Sequence, residues 1–228
     1  MLRAIGLIFA IAAMCWAQPA ARPASIAAVG SASISVPPDL ARVDVGVNTQ
    51  GATAQAASQA NATLANTVIM AIQFLLGSSA SIKTVNYALS PVYNNPPLGQ
   101  SATIIGYSVN NTVEATLTDL SKIGQTVDTA IQNGANSVQG ISFDLQDRNP
   151  PTAQALKTAA ASAMSQAAAI AAGLNVHTGA VMHASEGVTL TPQPVGVVAG
   201  VAAPVTTPVQ TGLVVIQASV TLEVAITP

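Results

Sequence analysis

Val214, Ile216, Ala218, Val220, Leu222 and Val224 take every second position between Gly212 and Ile226, with Gln217, Ser219, Thr221 and Glu223 among them. A period of two over that length is the mark of a strand with one face buried and the other wet. It commits the end of the chain to a sheet covered on one side. The pattern recurs where Val43, Val45 and Val47 alternate with Arg42, Asp44 and Asn48, and where Ala32, Ile34 and Val36 alternate with Ser31, Ser33 and Ser35. Between these two runs stand Pro37, Pro38 and Asp39. Consecutive prolines donate nothing to a sheet ladder and aspartate favours turns, so the segment is expected to end one strand and turn the chain. Asp39 and Asp44 are therefore expected in a turn and on a strand. The sharper reading, an acid–base pair, needs carboxyls opposed across a substrate. Arg42 and Asp44 are expected to pair on the polar face.

Ala57, Leu64, Val68, Ile72 and Leu75 recur at helical steps, with Thr53 as N-cap and Gly77 as the stop. Residues 81–93 and 103–118 read as strands joined by a turn-rich link. Asp119 caps a short helix striped by Leu120, Ile123, Val127, Ala130 and Ile131, and residues 138–145 read as a strand. Pro150 and Pro151 open an Ala-rich helix that Gly173 ends, and a strand follows near 176–190. Strands and helices mix without strict alternation. The expected class is α+β, a mostly antiparallel sheet with two long Ala-rich helices and one short helix packed on it.

The apolar half of the 228 residues is mainly Ala and Val, with only 3% aromatic, so the core should consist of small side chains. Charged residues make up 7%, which leaves little repulsion between copies and favours self-association. Seven Lys and Arg cannot build the basic stripe that nucleic acid requires.

Arg3 followed by the uncharged run Ala4–Ala13 and the small residue Ala17 reads as a secretory signal, residues 1–17, cleaved after Ala17. The run is shorter than the ~20 apolar residues of a membrane span. A lipidated Cys15 is the weaker alternative, because Met14 is bulky for that position. Residues 18–24 are expected to be a linker and 25–228 one domain, exported and without a transmembrane segment. Cleavage removes the one cysteine, and with it thiol chemistry, disulfides and cysteine metal sites.

No nucleophile elbow, zinc-helix motif or phosphate loop is present, and neither catalytic residues, cofactor nor metal is expected. His177 and His183, six residues apart on an extended strand, would lie about 20 Å apart and could not share an ion. Glu114 and Glu223 are expected to face solvent, and Asp144 and Asp147 to form a surface ion pair with Arg148, worth little. Met70, Met164 and Met182 could be oxidised, but at such spacings methionine is usually core filler. Asn61-Ala62-Thr63 and Asn110-Asn111-Thr112 match the glycosylation sequon, relevant only in a glycosylating host.

The uncharged stretch 191–211 is broken by Pro192, Pro194, Gly196, Gly200, Pro204 and Pro208. It is either a loop without a specific role or a contact for a subunit or partner through Val195, Val197, Val198, Val201 and Val205. Tyr87, Tyr93 and Tyr107 lie in or beside strand patterns and suit sheet-face packing. Tyr93 is also the candidate ligand contact of a binding surface made by loops 93–102 and 191–211.

Taken in order, Val29-Gly30, Pro38-Asp39-Leu40-Ala41, Val43-Asp44-Val45-Gly46-Val47, Thr49, Ala56, Ala60-Asn61, Ile82-Lys83-Thr84, Tyr87, Leu89-Ser90-Pro91, Tyr93 and Gly106-Tyr107 form a recognisable series. Asn110, Thr112, Gly134-Ala135-Asn136, Ile141-Ser142-Phe143, the helix from Ala153, Pro208 and Gly212 complete it. The series spans about residues 25–226 and resembles the SIMPL domain family (DUF541), typified by periplasmic immunogenic and oxidative-stress-defence proteins. The resemblance implies an exported α+β protein associated with envelope and oxidative stress, with at least one ring or channel-like homo-oligomer among its members. It implies no enzyme activity and no cofactor, and so supplies no catalytic residues. Two functions follow as expectations. One is a non-enzymatic exported protein that self-assembles and supports envelope stress defence. The other is a monomeric periplasmic module binding a peptide, glycan or envelope partner.

Overall fold

The structure is a computed structural model and describes residues 23–77, 80–97, 100–193 and 207–228. The expected signal segment, most of the linker and the five loop valines lie outside those residues. In chain order the elements are β1 (Ser25–Val36), β2 (Leu40–Gly51), α1 (Ala54–Leu76), β3 (Ser81–Tyr93) and β4 (Ile104–Leu117). A single 3-10 turn (Leu120–Lys122), α2 (Ile123–Gln132), β5 (Ser137–Asp144), α3 (Asn149–Gly173), β6 (His177–Gln193) and β7 (Leu213–Thr227) follow. The class is α+β, as expected. The strands form two sheets, ordered β1-β7-β6 and β3-β4-β2-β5, and every pairing is antiparallel.

The first sheet joins the first strand to the last, in register from Ser25 opposite Ala225 to Val36 opposite Val214. The alternating set of β7 is its buried face. α3 covers that face with Ala155, Ala159, Ala163, Ala167 and Ala171, a row at four-residue spacing, all buried. Small side chains on the helix let it sit close to the sheet. The closest approach is at Gly30, where a side chain would run into the Ala159 carbonyl and the Ala163 amide.

The second sheet buries Val43, Val45, Val47, Val113 and Ala115 beneath α1 and α2. α1 presents Ala57, Asn61, Ala65, Val68 and Ile72 to it. The Thr53 hydroxyl accepts the Ala56 amide at 3.1 Å and caps the helix. At the other end Gly77 (φ 87°) donates to the Gln73 carbonyl, a conformation that suits glycine.

Pro37-Pro38-Asp39 does end β1, but the turn does not make a hairpin. It carries the chain from one sheet to the other, and the segment after β5 carries it back. The two crossings run side by side. Asp39 donates its amide to the Asp144 carbonyl at 3.2 Å, and its carboxylate accepts the Gln146 amide at 2.7 Å. Asp39 is a structural turn residue, as the sequence suggested.

Candidate functional site

Side chains at even positions of β2 and β4 lie on the face of the second sheet turned away from the helices. At one end of that face stands a charged row. Asp144 is buried, and Arg42 Nη1 donates to its Oδ2 at 3.0 Å. Arg148 Nε donates to its Oδ1 at 2.9 Å, and Arg148 Nη2 donates to Oδ2. Burial acts to raise the Asp144 pKa, but the Arg148 hydrogen bonds, the Leu145 amide and Arg42 outweigh it and hold it at about 2. The expected surface pair is thus a shielded three-residue cluster joining both crossings. Asp147 is not part of it; its carboxylate accepts the Asn149 amide at 2.8 Å, at the start of α3.

Arg42 pairs with Asp144 and approaches Glu114 at 4.0 Å; it does not pair with Asp44. Glu114 is also not the solvent-facing residue expected, since its side chain is 13% exposed and lies 3.0 Å from Lys83 Nζ. That geometry makes an ion pair, but not a hydrogen bond, at the buried Glu114 Oε1. Asp44 stands directly opposite Glu114, and its buried Oδ1 has no hydrogen-bond partner. Burial, and then the neighbouring Glu114 charge, push the Asp44 carboxyl up; Arg42 and Lys83 offset part of this. A raised carboxyl pKa means that folding favours the protonated form. The penalty is felt at neutral pH and eases as pH falls toward the ordinary carboxylate range. Asp44→Asn should therefore raise the urea midpoint at pH 7, through a stability gain of a few tenths to about 1 kcal/mol. A lowered midpoint would show that the carboxylate supports the sheet.

Farther along, asparagines bridge the strands. Asn110 donates to Asn48 Oδ1 at 2.6 Å, and Asn136 donates to the Asn48 carbonyl at 2.7 Å. On the covered face Asn61, fully buried, donates to the Val47 carbonyl at 2.8 Å and accepts from Asn111 at 3.0 Å. Asn61, the first sequon asparagine, is an internal strut and no glycan acceptor in the folded chain, whereas Asn110, the second, is only half-buried on the outer face.

β2 pairs with β4 only as far as Gly51 opposite Tyr107. β3 and β4 continue beyond it, through Val92 opposite Gly106 and Tyr93 opposite Ile104. The second sheet therefore ends in an arm two strands wide, whose outer strand β3 is a free edge. Val85, Tyr87, Leu89, Tyr93, Ile104 and Ile105 are exposed along these two strands, Ile105 at 62%. Lys83 is the one charge on β3. Tyr87 donates to Ser58 Oγ at 3.2 Å, across to α1. Tyr93 stands at the end of β3, 54% exposed. The sequence reading caught Tyr93 but missed the arm, because alternating hydrophobes look the same whether or not a partner covers them.

Of the 191–211 stretch, residues 191–193 belong to β6 and 207–211 are described. Thr207 donates its hydroxyl to Asp128 Oδ1 at 2.6 Å and its amide to Asp128 Oδ2 at 3.2 Å, on α2. Val209 packs on the second core. On α2, Gly124 leaves room for the Thr207 carbonyl.

Met70, Met164 and Met182 are all exposed, against the expectation of core filler. Met70 lies with Phe74 beside a groove of about 780 Å³ between α1 and α2. His177 and His183 both lie on β6, opposite Thr227 and Glu223. Among the described residues no three His, Cys, Asp or Glu gather as a metal site requires. No helix among them is long and apolar enough to cross a membrane.

The family model described as SIMPL, protein of unknown function (DUF541), matches residues 26–224. The chain is also similar to the 26 kDa periplasmic immunogenic proteins of Brucella melitensis and Brucella abortus. Each is 29% identical over 174 residues, covering 74% of this chain and 69% of the relative.

Proposed function

The chain belongs to the SIMPL family, and from that premise we propose that it is an exported, non-enzymatic protein that assembles with copies of itself and serves envelope defence against stress, oxidative stress included. Export to the periplasm fits the names of its relatives, with residues 1–17 as the signal. The stress role is carried over from the family resemblance.

The observation that carries self-assembly is the β3–β4 arm. A two-stranded ribbon is marginal in water without a third strand or a covering layer. A long free edge invites pairing, and proteins that stay monomeric blunt such edges with charge, bulges or cover. The two-stranded end exposes Tyr93, Ile104 and Ile105; the rest of the β3 edge is blunted by Lys83, Pro91 and two register irregularities but still exposes Val85, Tyr87 and Leu89. A neighbouring copy supplies both the missing strand and the cover.

The test is light scattering behind a sizing column over a range of concentrations, for the wild type and for Leu89→Lys/Ile105→Lys. Both side chains are exposed, so the fold should survive. The wild type should run as a defined oligomer, and the double variant at a several-fold lower mass. Equal masses for the two proteins would remove the arm as the contact. A monomeric wild type at every concentration would refute self-assembly and turn attention to an envelope partner at Tyr93.

A further inference from the structure

Asp44 and Glu114 face each other across the seam between β2 and β4, the two inner strands of the second sheet. Each keeps one buried carboxylate oxygen, Asp44 Oδ1 and Glu114 Oε1, without a hydrogen-bond partner. Residues directly opposite on neighbouring antiparallel strands hold their Cβ atoms about 5 Å apart, close enough for their side chains to bond. On its other side Asp44 stands opposite Gly140 of β5, which brings no side chain to it. Two ionised carboxylates cannot bond to each other, because both only accept. One proton removes the conflict, since a protonated carboxyl donates.

The surrounding charges favour a proton over a metal ion. Lys83 lies 3.0 Å from Glu114 Oε1, and Arg42 lies 4.0 Å from it. Arg42 is itself held by Asp144, which Arg148 also binds. β5 adds Gly140 and Ser142 opposite Asp44 and Arg42, and neither titrates. A metal ion would stand beside two cations with only two carboxylates to hold it, and among the described residues no third acidic, His or Cys ligand joins them. A proton needs one donor and one acceptor. We propose that Asp44 takes up a proton and donates a hydrogen bond to Glu114, so that the β2–β4 seam is braced more strongly in acid than at neutral pH. Glu114 is the ionised partner because Lys83 pairs with it, whereas Asp44 makes no ion pair among the described residues. The brace runs opposite in sign to the Asp144 cluster. A carboxyl raised on folding contributes fully below its ordinary value, here 3.8, and the contribution is lost as pH rises through the folded value. Asp144 stays ionised in the folded chain down to about pH 2, so its arginines remain bound while the Asp44–Glu114 bond forms. The brace acts within one chain and does not depend on self-assembly.

The test uses the full chain. Carboxyl-carbon NMR should show Asp44 titrating above 3.8, with the Glu114 resonance moving at the same midpoint. Glu114→Gln should lower the Asp44 midpoint. Urea unfolding between about pH 7 and about pH 3 then separates a bond from simple relief of repulsion. Asp44→Asn offers Glu114 a donor at every pH, so the wild type should unfold at lower urea than this variant at neutral pH and draw level in acid. Asp44→Ala has neither the charge nor the donor, so the wild type should gain on it as pH falls and end the more stable of the two. In a Glu114→Ala background the gap between Asp44→Asn and Asp44→Ala should vanish. If that gap persists without Glu114, or is absent with it, no bond spans the seam and the brace is refuted. An Asp44 carboxyl that titrates at or below 3.8 refutes it independently of the variants. A rise in the wild-type urea midpoint on adding Ca²⁺ at neutral pH, absent in Asp44→Asn, would replace the proton with a metal ion.

Discussion

A Gly30→Ala chain should unfold at a markedly lower urea concentration, with a loss of about 2–3 kcal/mol. Gly30 faces α3 from the middle of β1, and the added methyl would meet the Ala159 carbonyl oxygen and the Ala163 amide nitrogen. Both are backbone atoms, so no side chain can rotate away. Either the helix lifts from the sheet or β1 bends. Lifting the helix also opens the row Ala155, Ala159, Ala163, Ala167 and Ala171, whose small side chains cannot fill a widened gap. The lower entropy of the unfolded alanine chain returns up to about 1 kcal/mol and does not reverse the sign. Gly140 is the control, because nothing lies within 4 Å of where its side chain would grow. Gly140→Ala should change stability by no more than about 0.5 kcal/mol. Equal, small effects at both glycines would mean that α3 does not seat on β1 as described.

That contact shows where sequence reasoning reached and where it stopped. The alternation in β7 and the alanine spacing in α3 are local patterns, and both elements were legible. Their meeting at Gly30 was not, because it depends on β1 pairing with β7 from the far end of the chain, and no local signal sets that pairing. The turn at Pro37-Pro38-Asp39 was legible from proline's missing donor. Its passage between two sheets was not, since neighbouring strand patterns joined by a turn look like a hairpin. The same limit applies to the candidate sites. Val68 and Ile72, which are covered, and Met70 and Phe74, which are not, belong to two stripes of similar apolarity and spacing. Only the position of the second sheet separates core from surface, which is why Met70 was misread. Tyr93 was named for its aromatic ring and lies exposed at the end of β3. Val195, Val197, Val198, Val201 and Val205 lie outside the described residues, and their role as a contact stays a proposal. The Asp144 cluster was underrated because its partner Arg42 lies 102 residues away in the chain.

Asp144→Ala should cost about 3 kcal/mol at pH 7. The substitution leaves Arg42 and Arg148 facing each other without the carboxylate between them, and it strips the Leu145 amide of its acceptor. Asp144→Asn keeps an acceptor for that amide and loses the charge, so its cost should be smaller, about 2 kcal/mol. The two substitutions also predict a pH signature. The folded-state pKa of about 2 lies below the ordinary value of 3.8. A carboxyl depressed on folding stabilises the protein above its unfolded pKa, and that contribution disappears as pH falls through the folded value. Between about pH 4 and pH 2 the wild type should therefore lose about 2 kcal/mol that Asp144→Asn does not lose. Other carboxylates titrate in both proteins, so the difference between the two stability profiles isolates this group. The difference should be constant above pH 5 and close as the pH drops. Parallel profiles across the whole range would mean that Asp144 is not held ionised by its arginines. The crossings would then be joined by the contacts of Asp39 with Asp144 and Gln146, and of the cost of about 3 kcal/mol expected for the alanine substitution only the share from the Leu145 amide would remain.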